Sequence, residues 1–323
     1  MPHAIRIHQY GGPEVLRLEP VTVGDPGRGE VRLRQTAIGL NFIDVYQRTG
    51  LYPTPLPAAL GREAAGVVDA VGPGVRGFSP GDRVAYVLAT SGAYADMRLL
   101  PADRLLKLPD NVSDRDVAAS LLKGLTAHAL LRRTYRVRKG DWIVVHAAAG
   151  GVGMILVQWA RHLGAKVIGI VGSEQKADQV RQLGAEHVLV GNEDLPNRVR
   201  GLTKGKGVAV VYDSVGKDTF AASIECLQPL GMMVTFGNAS GPVPAIAPLE
   251  LARRGSLFLT RPMLFDYIKK TSDLRKAAAE LFAVLGAGIV KIHIGQTYRL
   301  ADVATAHADL EARRTTGSTV ILP

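Results

Sequence analysis

The segment Asp141-Trp142-Ile143-Val144-Val145-His146 runs directly into Ala147-Ala148-Ala149-Gly150-Gly151-Val152-Gly153, and it limits the possible folds more tightly than any other stretch. Its apolar, β-branched first half reads as a strand buried on both faces. The glycines form a tight turn, and residues 152–163 carry helical periodicity. Strand, glycine turn and helix in this order open a dinucleotide-binding βαβ unit. Ala148 stands in place of the first glycine of G-x-G-x-x-G, while Gly150 and Gly153 keep the second and third positions. Gly150 lets the backbone approach a pyrophosphate, and Gly153 lets the helix pack on the strand. The helix start offers N–H groups and the positive end of its dipole. Gly150 and the helix start are therefore candidate cofactor contacts.

The neighbouring pattern gives the motif its weight. Strands are predicted at 142–147, 166–171, 187–190, 208–213 and 232–237. Helices are predicted at 152–163, 174–183, between 190 and 208, and at 219–227. Apolar strands alternating with helices imply a parallel sheet covered on both faces. Residues 1–110 differ. Short β-prone runs at 4–8, 30–38, 64–71 and 83–87 are separated by Gly11-Gly12-Pro13, Asp25-Pro26-Gly27, Gly72-Pro73-Gly74 and Ser79-Pro80-Gly81-Asp82, which predicts a partly closed β-barrel. A helix at 113–133, with Ser113 as N-cap, joins the two textures. The tail carries a helix at 272–285 and a β-like end at 318–322.

The strand after the glycine turn selects between nucleotides. An NAD site places Asp or Glu at its end to bind the ribose hydroxyls. Here that place is Val171, followed by Gly172-Ser173-Glu174-Gln175-Lys176. With Ser173 as N-cap, Lys176 is the third helical residue, where a cation opposes the helix dipole. A bound 2′-phosphate reverses that penalty, so the expected cofactor is NADPH. Glu174 is the one dissenting residue, and it is expected to point outward.

Composition removes several classes. The formal charge is +10 and the pI 9.8, but the basic residues are dispersed among acids without interleaved aromatics. A field that attracts a polyanionic cofactor fits this better than a nucleic-acid partner. Cys226 is the only cysteine, so no thiolate-rich metal site can be built. No apolar run is long enough for a membrane helix, and the first residues lack a secretion signal, so a cytoplasmic protein is expected.

Further segments resemble a known family, the zinc-free quinone oxidoreductases related to zeta-crystallin within the medium-chain dehydrogenases/reductases. The resemblance rests on Gly11–Val15 (Gly-Gly-Pro-Glu-Val), Gly39-Leu40-Asn41-Phe42-Ile43-Asp44, Gly61-Arg62-Glu63-Ala64-Ala65-Gly66 and Gly81-Asp82-Arg83-Val84. It continues through Leu122-Lys123-Gly124-Leu125-Thr126-Ala127, the 147–153 turn, Tyr212-Asp213-Ser214-Val215-Gly216 and Thr235-Phe236-Gly237-Asn238. These span nearly the whole chain in family order, and bacterial members are most similar. The resemblance implies an α/β chain with a GroES-like catalytic domain from residues 1–122 and 265–323, and a Rossmann domain over 123–264. It also implies NADPH in a cleft between them, and a homodimer. By family pattern, Asn41, Thr126, Gly150, Gly151, Val152, Gly172, Ser173, Lys176, Ser214, Phe236 and Asn238 lie along NADPH, with Ala149, Asn192 and Gly237 in the same loops. Asp44 either orients a ribose hydroxyl or caps a helix. Relatives often carry Tyr and a basic residue after the third nucleotide-domain strand. Gly191-Asn192 stands there instead, which leaves Lys176 more of the phosphate.

Zinc members of the superfamily use an early cysteine and the histidine of Gly-His-Glu. Asn41 and Arg62 stand in those places, and no metal site is expected. Without a Lewis acid, the acceptor must already be electrophilic, and a quinone or activated alkene is. The protein then needs to orient the nicotinamide and supply hydrogen-bond donors to the developing oxyanion. Asn41, Tyr46 and Tyr52 are the catalytic candidates. His146 reads as a packed, hydrogen-bonded residue, and Glu63 as structural. Two further readings stand beside quinone reduction. One is reduction of 2-alkenals or enoyl thioesters; the other, from a different class, is a dinucleotide-sensitive RNA-binding or structural crystallin-like protein.

Overall fold

In the computed structural model, which describes residues 1–323, the amino-terminal runs form β1 (His3–Ile7), β2 (Arg17–Pro20) and β3 (Glu30–Leu40). Helix α1 (Phe42–Arg48) follows, then β4 (Ala58–Ala59), β5 (Glu63–Val71), β6 (Arg83–Val87), β7 (Met97–Pro101) and β8 (Leu106–Lys107). After α2 (Asp114–His128), strands and helices alternate: β9 (Trp142–Val145), α3 (Gly151–His162), β10 (Lys166–Val171), α4 (Glu174–Gln182) and β11 (His187–Val190). The alternation continues through α5 (Leu195–Leu202), β12 (Val208–Asp213), α6 (Phe220–Glu225), β13 (Leu227–Thr235), α7 (Pro248–Arg253) and β14 (Phe258–Thr260). The tail adds α8 (Leu264–Tyr267), α9 (Thr271–Gly286), β15 (Ile294–Arg299), α10 (Val303–Glu311) and β16 (Ser318–Leu322). No helix is long and apolar enough to cross a membrane.

Two compact units divide the chain. The first holds Met1–Leu125, Ile268–Gly286 and Ile292–Pro323; the second holds Thr126–Tyr267 and Ala287–Lys291. In the first, β15-β16-β3-β5-β6-β8 form one sheet with β7 also on β3, and β2-β1-β4 form a smaller one. Strand β3 is central because its alternate residues Val31, Leu33, Gln35 and Ala37 are buried and it continues into buried Ile38 and Leu40. Register shifts between β3 and β5 mark bulges, which bend and coil the sheet. Ile5, Ile7, Leu33, Ile38, Leu60, Tyr86, Leu100 and Ile321 fill the core it encloses.

The second unit has one all-parallel sheet in the order β11-β10-β9-β12-β13-β14. This is the doubly wound Rossmann order, in which the direction of winding reverses between β9 and β12. All six residues of β12 are buried, as expected of a strand covered on both faces. Val144, Ile168, Val211, Phe220, Met233 and Leu257 belong to its core.

Several boundaries differ from the sequence expectation, each for a local reason. The helix expected over 113–133 begins as expected, with Ser113 Oγ accepting the Asp116 N–H at 3.0 Å. It leaves α geometry after His128 for a wider π turn over Ala129–Thr134. Strand β9 stops at Val145 because Ala147 turns left-handed at φ +48°. Strand β13 starts five residues earlier than 232, but Leu230 (φ +61°) and a register shift hide the periodicity of its first half. The second unit also takes in Ala287–Lys291 from the expected C-terminal catalytic segment. Gln158 fastens it there, donating to the Lys291 carbonyl at 3.1 Å and accepting the Lys291 N–H at 2.9 Å.

Candidate cofactor and acceptor residues

In the nucleotide unit the candidates gather at the carboxyl ends of the parallel strands. After β9, the Ala148 N–H bonds Ile170 O at 3.0 Å, and the Gly150 N–H turns back onto Ala147 O at 2.8 Å. Gly150 then caps α3 in an extended conformation. A Cβ on Gly153 would fall 2.3 Å from Ala147 O, so only glycine allows the helix this close to the turn. The first-turn N–H groups of Gly151, Val152 and Gly153 have no acceptor within the helix, which makes this end fit for a pyrophosphate.

After β10, Val171 is buried and Gly172 exposed. Ser173 caps α4, its Oγ accepting the Lys176 N–H at 3.4 Å. Lys176 is half-buried at the third helical position. Glu174 lies on the exposed side, its carboxylate 3.3 Å from Arg181 Nη2, while Arg181 Nη1 holds Asp178 at 2.6 Å. The cation rather than the acid is thus the partly enclosed charge of this loop. Gly191 (φ +72°) ties the end of β11 to that of β10 through its N–H and Val171 O at 2.9 Å, and exposed Asn192 follows it.

The loops after β12 and β13 form one assembly around Asp213, which is fully buried. Its Oδ1 accepts the N–H groups of Val215 (2.8 Å) and Gly216 (3.1 Å); its Oδ2 accepts Thr219 Oγ1 (2.7 Å) and Ser223 Oγ (3.0 Å). Because Ser223 gives its hydrogen to Asp213, the 2.8 Å contact with His146 Nε2 is a bond donated by the imidazole. Burial pushes the His146 pKa down, so the ring is a neutral structural donor. The Phe236 N–H bonds Asp213 O at 2.8 Å, and a Cβ on Gly237 would lie 2.2 Å from Ser214 O. Ser214, Phe236, Gly237 and Asn238 are therefore side by side. Arg261, which the sequence did not single out, braces them by donating to Gly237 O at 2.8 Å. Thr126 is half-buried within α2.

In the other unit, α1 organises the acceptor candidates. Asp44, at its third position, reaches back so that Oδ2 accepts the Asn41 N–H at 2.9 Å, and it also accepts the Tyr94 hydroxyl at 2.8 Å. Of the two roles expected of Asp44, the structure places it in the helix cap, fully buried. Oδ1 has no partner. Burial lifts this carboxyl to about 6 despite the lowering by Tyr94, Asn41 and Arg62. Asn41 Nδ2 donates to Glu63 Oε1 at 2.7 Å, so one of its two amide hydrogens is already committed. Glu63 Oε2 accepts the Leu122 N–H at 2.5 Å, and Lys123 Nζ lies 3.6 Å from Oε1 while donating to Leu40 O at 3.1 Å. The rings of Tyr46 and Tyr52 meet edge-on at 5.3 Å, with the Tyr52 N–H on Tyr46 O at 3.0 Å. Both are half-buried.

A second buried chain was not foreseen from the sequence. Tyr94 OH is 3.1 Å from His307 Nε2, while Arg48 approaches His307 Nδ1 at 3.4 Å and donates to Glu311 Oε1 at 2.7 Å. Since Tyr94 donates to Asp44, His307 donates from Nε2 and accepts at Nδ1, which is the neutral tautomer. Burial, and then Arg48, hold its pKa at about 3. The partners of His307 lie 213 and 259 positions away, so no local pattern carries this pairing.

A unit with a GroES-like sheet and a Rossmann unit in one chain define a medium-chain dehydrogenase/reductase. An alcohol dehydrogenase GroES-like domain model matches residues 27–110, and a zinc-binding dehydrogenase model matches residues 151–283, a stretch that excludes Asn41 and Arg62. The chain is 50% identical to a quinone oxidoreductase of Pseudomonas aeruginosa over all of both chains. It is 47% identical to a 2-haloacrylate reductase of a Burkholderia species, over all of this chain and 99% of that one. The structure of Escherichia coli quinone oxidoreductase complexed with NADPH superposes with a TM-score of 0.96 at 46% identity, covering 99% of this chain and 100% of the other. The chain belongs to the quinone oxidoreductase family.

Proposed function

We propose that this protein is an NADPH:quinone oxidoreductase. The full-length likeness to an NADPH-bound quinone oxidoreductase carries the reading. The residues fit the nucleotide: a helix start that Gly153 lets sit against the glycine turn, an acid-free end of β10, and a cation at the third position of α4. The α3 N-terminus, Gly150, Gly151 and Val152 would hold the pyrophosphate, Ser173 and Lys176 the 2′-phosphate, and Ser214, Phe236, Gly237 and Asn238 the rest. When bound, NADPH supplies the reducing equivalents. Tyr46 and Tyr52 orient the acceptor, and the remaining amide hydrogen of Asn41 donates to its developing oxyanion. The working form is a cytoplasmic homodimer.

Lys176→Ala is expected to weaken NADPH by about tenfold to a hundredfold, the value of one charge-assisted phosphate contact, and NADH far less. Titration of each nucleotide by fluorescence checks this; equal losses would remove Lys176 from the phosphate site. A second reading, reduction of activated alkenes, is favoured by the 2-haloacrylate reductase among the relatives. Steady-state rates with NADPH against 1,4-benzoquinone and a 2-alkenal separate the two. Faster turnover of the quinone is expected, and turnover of the alkenal alone would reverse the ranking.

A further inference from the structure

Within the first unit, the Arg62 guanidinium lacks an acidic partner. Arg62 stands in the turn that leads into β5, and its backbone is pinned. The Leu88 N–H bonds its carbonyl at 2.8 Å, and preceding Gly61 (φ +92°) is so tightly packed that a Cβ would lie 2.6 Å from Tyr94 N. Arg62 Nε donates to Gln47 Oε1 at 2.9 Å, which draws the side chain onto α1, one residue after Tyr46 and beside the Asp44 carboxylate that acts on it electrostatically. The guanidinium is half-buried, yet no carboxylate lies within 4.0 Å of it, and none of its Nη hydrogens has an acceptor. Arg98, also half-buried, is close enough to repel it. Arg98 too has only neutral partners: the Tyr86 hydroxyl at 3.3 Å, the Ser91 carbonyl at 2.9 Å, and the Thr90 hydroxyl.

Two partly desolvated guanidinium groups, with only the already committed Asp44 carboxylate acting on Arg62, are unfavourable unless an anion arrives. Arginine presents a planar fork that matches a carboxylate or sulfonate in two parallel hydrogen bonds. We propose that Arg62, supported by Arg98, is an anion-recognition residue of the acceptor site, and that the acceptors preferred by this protein carry a carboxylate or sulfonate next to the reducible bond. This deepens the proposed function and rests on it for the identity of the acceptor.

Two measurements on the full-length protein keep the claims apart. The first is equilibrium binding of unreactive naphthalene-2-sulfonate and its neutral sulfonamide to the wild type, Arg62→Gln and Arg62→Lys, by calorimetry. Arg62→Gln is expected to weaken the sulfonate by about tenfold to a hundredfold and the sulfonamide little, with Arg62→Lys between, since it keeps the charge without the fork. The second is turnover of 1,4-naphthoquinone and its 2-sulfonate with NADPH. The wild type is expected to favour the sulfonate in kcat/KM by about tenfold or more, and Arg62→Gln to erase that ratio. Equal sulfonate affinity in wild type and Arg62→Gln would overturn the anion site. So would a matched loss for both quinones, which would make Arg62 a general support for catalysis, or a loss of NADPH affinity in place of sulfonate affinity. Sulfonate binding that depends on Arg62 while neither quinone is turned over would uphold the site and sink the quinone reading instead.

Discussion

Glu63→Ala is expected to cost roughly 3–5 kcal/mol of stability, the range for removing one partner of a buried ion pair. Glu63 is fully buried and serves three donors at once: the Asn41 amide, the Leu122 N–H and the Lys123 ammonium. Its removal leaves Lys123, itself 7% exposed, with only the Leu40 carbonyl. The desolvation of that charge, more than the lost attraction, sets the magnitude. Urea denaturation of the single variant and of Glu63→Leu/Lys123→Met decides the matter. The double variant should recover most of the loss, because it removes both charges and fills the space. A loss below about 1 kcal/mol in the single variant would show that water reaches the pair.

The second expected result is a pH-dependent gain in Asp44→Asn. A carboxyl lifted from 3.8 to about 6 takes up its proton more readily folded than unfolded. Its contribution to stability is therefore full at low pH and is lost as pH rises from about 4 through 6. The neutral amide escapes that loss, so the variant should be more stable than wild type at pH 7–8 by up to about 3 kcal/mol, with the advantage gone near pH 4. His307 acts in the opposite direction. Its folded pKa of about 3 means that acid protonates the unfolded chain first, and stability falls as pH drops from 6.5 toward 3. Between pH 6.5 and 4 these two contributions therefore oppose each other. Asp44→Asn should expose the His307 slope in full, and stability curves that stay parallel from pH 4 to 8 would contradict the burial of the Asp44 charge.

How much of this was legible in the sequence depended on the range of the signal. The parallel sheet was readable because a strand buried on both faces is a continuous apolar run, and because Gly150, Gly153 and the Ser173 cap are short-range requirements of backbone geometry. Lys176 could be weighed against Glu174 from helix position alone. Strand β15 was invisible: Gly295, Gln296, Thr297 and Arg299 make it polar, none of its residues is buried, and its pairing with β16 comes from elsewhere in the chain. The Asp44–Tyr94–His307–Arg48 chain joins three distant segments, α1, the loop at Tyr94 and α10, through single side chains, and a lone histidine or tyrosine has no periodicity to betray it. The role of Glu63 as structural was readable only in outline; its three donors were not. Arg62 was seen as a residue that cannot bind zinc, but its lack of an acidic neighbour is a three-dimensional fact.

Strand β16 has a bearing on how the protein is made. Leu40, immediately before Asn41, is registered against Thr319, and Ile38 against Ile321. The Rossmann sheet draws all its strands from residues 142–260 and can close while the ribosome is still working. Strand β7 covers only the first half of β3 opposite β5, so the second half must wait for the last six residues before that edge is closed. A chain truncated at its carboxyl end would leave an open sheet edge beside the very turn that begins α1, so premature termination should yield an aggregation-prone product with an intact nucleotide fold.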